Sequence, residues 1–124
     1  MPPSRPSRRS PSPEVAALRA AAEGICVQLL GQVREQARLI RSGAAGELTE
    51  ADAGRIAEDI AAAARARLDA AAQHRQSLPA DPELQTTRRE AAQLMAAAAR
   101  QADAELRKAW RARHEKAAGR RWRR

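Results

Sequence analysis

Apolar and small residues recur in the first third of the chain at Val15, Leu18, Ala22, Cys26, Leu29, Val33, Ala37 and Ile40. The steps between them alternate threes and fours in an eleven-residue period, near 3.67 residues per turn. Such a row stays on one face of a nearly straight helix. Ile25, Val27, Leu30 and Leu39 broaden it, so that the run from Ile25 to Val33 is apolar around most of the circumference. That breadth predicts a central helix contacted on more than one side. Its start is marked by Ser12 as cap, Pro13 at the first helical position and Glu14 against the dipole. Gly43 and Gly46 end it, giving a helix over about 13–42. Gly24 and Gly31 lie seven apart on one face, with Ala17 a further seven back. The spacing suits a close helix crossing and equally suits glycines that are merely tolerated.

A second helix is expected over about 50–76. Thr49 is its cap, Asp52 stands in for the capping-box Glu, and Leu48 takes the staple position. Its row is Ala53, Ile56, Ile60, Ala64, Leu68 and Ala71. After a loop at Ser77–Ala80, Asp81 caps a third helix with Pro82 at its first position and Glu83 following. That helix carries Leu84, Thr87, Ala91, Met95, Ala98, Ala102, Leu106 and Ala109, and Gly119 would close it near residue 118. Short links imply antiparallel neighbours. The fold class read from the pattern is therefore all-α, an antiparallel three-helix up-down-up arrangement. A Pro/Ser/Arg arm (1–12) precedes the three-helix domain (13–106), and a basic extension (107–124) follows it. The third helix is longer than the second, so its basic last third should project past the bundle. The arm, whose four prolines are followed closely by Pro13, should be disordered or polyproline-like. Those prolines oppose the amphipathic helix of a transit peptide, and the arm lacks the apolar core of a signal peptide.

Composition qualifies this picture. Alanine supplies 32 of the apolar residues, leaving only 19 larger ones between residues 14 and 106. So thin a core predicts self-association or a partner, as a homo-oligomer or a hetero-complex. The expected docking face is Ile25, Cys26, Leu29, Leu30 and Val33 on the first helix. Cys26 is the only cysteine, so no intrachain disulfide forms, which fits a reducing, cytoplasmic setting. No stretch reaches the roughly 20 apolar residues of a membrane span.

Charge is sorted by position. Residues 14–106 hold 11 Arg against 14 acids, whereas 107–124 hold 9 Arg and Lys against Glu115 alone. Arg5, Arg8 and Arg9 sit in the acid-free arm. A polyanion is thus expected at the ends and not at the middle. Arg outnumbers Lys 21 to 2, a choice that GC-rich coding would also produce.

Catalytic signatures do not accompany the charge. No nucleophile elbow or phosphate-cradling glycine loop occurs. His74 and His114 lack a second ligand at helical spacing, and adjacent His114 and Glu115 do not share a face. Neither a metal nor a cofactor is called for, and an enzyme is not expected. The candidate site is the C-terminal run: Arg107, Lys108, Arg111, Arg113, Lys116, Arg120, Arg121, Arg123 and Arg124 would contact phosphates. Trp110 and Trp122, the only aromatics in the chain, would stack or anchor. The plainer alternative for Trp110 is packing on the bundle. The function expected is a non-enzymatic accessory or assembly protein that contacts DNA or RNA largely independently of sequence. The rival is a helical adaptor that docks a protein through its first helix while the basic tail steers it to an acidic surface.

Overall fold

The computed structural model describes residues 12–73 and 81–122, with side chains through Lys116. It contains α1 (Pro13–Ser42), α2 (Glu50–Gln73) and α3 (Pro82–Trp122). The arm before Ser12, the expected end of the second helix near Gln76, His74, the loop at 77–80 and Arg123–Arg124 lie outside the described residues.

Local chemistry sets the boundaries. Ser12 Oγ accepts from the Val15 N–H at 3.2 Å. Thr49 and Asp52 form a reciprocal box, each side chain accepting from the other's backbone N–H at 3.0 Å. Asp81 Oδ1 accepts from the Glu83 N–H at 3.0 Å. α1 stops at Gly43, whose φ of 82° is left-handed, and Gly46 follows at 86°. α3 does not stop at Gly119 but continues to Trp122.

The contacts between helices fix the topology. Arg19 near the start of α1 pairs with Glu90 near the start of α3, and Arg113 near the end of α3 lies against Gly43 at the end of α1. α1 and α3 therefore run parallel. Arg88 Nη2 donates to the Ala72 carbonyl in the last turn of α2 at 3.2 Å, and Arg107 reaches Glu50 in its first turn. α2 therefore runs antiparallel to both, completing the up-down-up arrangement. Arg88 also supplies a cation to a helix end whose own last turn has none. α3 packs most extensively on both neighbours, so it takes the central place expected of the first helix.

The α1 row is buried at seven of its eight positions, with Cys26 half-buried, and the α3 row at all eight. The α2 row is buried as expected at Ala53, Ala64 and Leu68, but between them Gly54, Ala57 and Ala61 take the buried positions while Ile56 and Ile60 pack half-buried on the flank. The expected docking face of α1 is used largely inside the monomer. Leu29 and Val33 belong to the core, and Ile25, Cys26 and Leu30 pack against it half-buried. Among the described residues, the large apolar side chains that are notably exposed are Val27 (71%) and Leu94 (39%). Gly24 and Gly31 mark no helix crossing, because a Cβ at either would meet open space.

The glycines can therefore be told apart by mutation. Gly24→Ala and Gly31→Ala should each raise stability by about 0.5–1 kcal/mol in urea unfolding, since alanine only lowers the entropy cost of an exposed helix. Gly43→Ala should lower it, because an alanine there is strained and its Cβ would lie 2.6 Å from Arg113 Nη2. Equal effects at all three positions would contradict this assignment.

Stability should also fall in acid. The backbone hydrogen bond from Thr49 holds the Asp52 carboxyl below its usual range, and the Arg38 hydrogen bond and charge do the same for Glu35. Folding thus favours their charged forms, a contribution complete above the usual carboxylate range and lost as pH falls through the lowered values. The urea midpoint should hold from about pH 7 to 5 and decline below about pH 4. Glu35→Gln with Asp52→Asn should flatten part of that decline.

Candidate nucleic-acid interface

The basic run begins on the bundle. At Arg107 the side chain lies over Gly54 of α2, where an added Cβ would come within 2.8 Å of the guanidinium carbon. Arg107 Nε donates to both oxygens of Asp103 at 3.0 and 3.1 Å, and Nη1 lies 3.9 Å from Glu50 Oε1. These carboxylates, Asp103 foremost, raise the Arg107 pKa further above its usual value. One helical turn on, Arg111 Nη1 donates to the same Glu50 oxygen at 2.9 Å. Glu50 itself sits in the first turn of α2, where the helix dipole favours an anion.

Trp110 takes the packing role. Its indole Nε1–H donates to the Leu48 carbonyl at 2.6 Å, joining α3 to the connection between α1 and α2. The ring packs against the core, and His114 stacks on it at a centroid distance of 3.9 Å. His114 Nδ1 lies 3.0 Å from the Trp110 carbonyl. Arg113 reaches Gly43. The basic part of α3 therefore does not project from its beginning: Arg107, Trp110, Arg111 and Arg113 close one end of the bundle.

What continues past Arg113 is decided by helical register. The core row of α3 runs through Ala98, Ala102, Leu106 and Ala109. Continued in steps of four, three and four, it meets positions 113, 116 and 120, which are Arg, Lys and Arg. The same face changes from apolar to basic where α1 and α2 end. Lys108, Arg113 and Lys116 are exposed, and Arg120, Arg121 and Trp122 continue the helix.

Arg107, Arg111 and Trp110 are thus joined in one network, whereas Lys108 and Lys116 take no part in it. Sequence reasoning missed two members, Gly54 and Glu50. Gly54 was detectable as a glycine inside a strong alanine-rich helix. Among the described residues no three His, Cys, Asp or Glu side chains are arranged to hold a metal ion, and no helix is long and apolar enough to cross a membrane. No family model, curated protein or solved structure matches the chain.

Replacing the indole by a phenyl ring isolates the Leu48 bond. Trp110→Phe should keep most of the packing and lose about 1 kcal/mol, the net worth of one neutral hydrogen bond. Urea unfolding against Leu94→Ala, at a partly exposed position outside this contact, measures it. No loss at Trp110→Phe would remove the Leu48 bond from the account of this end.

Proposed function

We propose that this chain is a non-enzymatic helical accessory protein that associates with nucleic acid through the C-terminal part of α3 and the residues beyond it. The observation that carries the reading is the continuation of the α3 core row past Ala109 into Arg113, which lies over Gly43 at the end of α1, and then into exposed Lys116 and position 120. Arg113 covers the end of α1, but exposed Lys116 beyond it has no packing reason to be cationic. Phosphate contact by Arg and Lys, with release of bound counterions, supplies one. Lys108, Arg113, Lys116, Arg120, Arg121, Arg123 and Arg124 are the proposed contacts. Arg107, Arg111 and Trp110 become positioning residues that hold the helix, and any stacking on unpaired bases falls to Trp122. Binding is largely independent of sequence, because the bundle offers no compact base-reading helix and turn. The acidic middle keeps a polyanion oriented toward this end.

The test uses the full-length chain, since removing residues after 106 would also remove the contacts of Arg107, Trp110 and Arg111. Lys108→Gln, Arg113→Gln, Lys116→Gln and Arg120→Gln are combined in one variant. Binding to duplex DNA, single-stranded DNA and RNA is titrated with salt. Wild type should bind with a steep log–log salt slope, and on duplex DNA the variant should lose about 0.9 of slope for each phosphate contact removed. Equal slopes and affinities, or no binding by wild type, would defeat the proposal. The acidic-partner reading would then lead.

A further inference from the structure

A second concentration of arginine lies in a groove between α2 and α3, which meets the C-terminal extension only at Arg107. The groove encloses about 580 Å³ and has a floor of small residues, with Gly54 and Ala61 from α2 and Ala99 from α3. Arg55 and Arg65 line it from α2, and Arg100 and Arg107 from α3. The acids on it are Glu58 and Asp103, and Asp103 is already engaged by Arg107. Arg65 and Arg100 have neither a hydrogen bond nor an ion pair among the described residues, although carboxylates abound on the same two helices. The antiparallel pairing of α2 with α3 brings these two arginines, 35 positions apart in sequence, to one end of the groove and Arg55 with Arg107 to the other. Seven residues of helix separate Arg100 from Arg107, roughly 10 Å along the axis.

We propose that this groove is a phosphate-binding site distinct from the C-terminal extension. Planar guanidinium forks recognise phosphate oxygens in pairs, and two such forks without a carboxylate partner face the same space. The missing side chain at Gly54 lets Arg107 lie in the groove instead of over its mouth. Arg65 and Arg100 form the cationic end, since Asp103 and Glu50 already balance Arg107 at the other, so a first phosphate falls to Arg65 and Arg100 and a second would reach toward Arg55. The ligand is either a free polyphosphate or a stretch of phosphodiester backbone. In the second case the groove adds to the nucleic-acid reading and rests on it.

The experiment follows the backbone amide of Gly54 in the full chain by NMR while tripolyphosphate, or separately a short single-stranded oligonucleotide, is added. The proteins compared are wild type, Arg65→Gln/Arg100→Gln, the fourfold extension variant above, and Arg67→Gln/Arg89→Gln. The last removes the same charge from exposed positions of the same helices. Tripolyphosphate should shift Gly54 in wild type. Its affinity should fall about tenfold or more in Arg65→Gln/Arg100→Gln, and stay unchanged in the other two variants. A parallel fall in oligonucleotide affinity identifies phosphodiester backbone as the source. A fall for tripolyphosphate alone identifies free phosphate. Failure of the extension variant to weaken the oligonucleotide would sink the proposed function and leave the groove standing. No shift at Gly54 in wild type, or equal losses in the groove and control variants, would overturn the groove site. Because that wild-type shift is read first, misfolding of a variant cannot mask a negative result.

Discussion

Five of the six buried positions of α2 are alanine or glycine, and that constrains the rest of the molecule. A methyl group is fully enclosed only when the neighbouring backbone lies close, toward the short end of the roughly 8–10 Å at which helices pack. Ala53, Ala57 and Ala64 are all enclosed to within 1%. The larger side chains needed to fill the remaining space must therefore come from the other two helices. Leu18, Leu29, Met95 and Leu106 are the largest fully buried ones, all on α1 and α3. α2 acts as a thin wall, and α3 can touch both neighbours because that wall is thin.

The same constraint explains which parts were legible in sequence. Caps are local: Ser12, Thr49 with Asp52, and Asp81 each bond within three residues, so a short window contains the whole interaction. The rows of α1 and α3 were legible because their buried positions carry residues larger than their surroundings. α2 inverts that relation. Its isoleucines flank the contact while Ala57 and Ala61 form it, so ranking by size misplaces the middle of the row although Ala53, Ala64 and Leu68 are buried as expected. Gly54 escaped for a related reason. Its purpose is set by Arg107, 53 residues away, whereas Gly24 and Gly31, whose spacing suited a crossing or tolerated glycines equally, face open space. The breadth of apolar sequence in α1 also overstated what is left for a partner, since Leu29 and Val33 are enclosed by the monomer.

Charge shows a similar split between what position in the chain indicates and what packing makes of it. Summed along the sequence, residues 14–106 are mildly acidic. In three dimensions that sum divides. Glu50 and Asp103 are drawn into contacts with Arg107 and Arg111, while Arg65 and Arg100 are left facing a common groove. Ion pairs as exposed as these contribute little to stability. They matter here because they consume carboxylates unevenly, so an acidic segment presents a local cationic surface.

The closed end of the bundle joins the two themes. Helix termini usually fray, and a cationic tail that must order on binding gives up part of its gross interaction energy in doing so. Trp110 bonds across 62 residues to the Leu48 carbonyl, and Arg111 bonds across 61 to Glu50. These contacts sit one turn before Arg113. They fix the direction of α3 where its core row becomes basic, so that positions 113, 116 and 120 start from an anchored helix instead of a free end. Of the roles open to Trp110 in the sequence, stacking, anchoring or packing on the bundle, the structure shows it packed and bonded to the bundle. Its bond is made one turn before the basic row, and it lowers the ordering cost of any contact made beyond it.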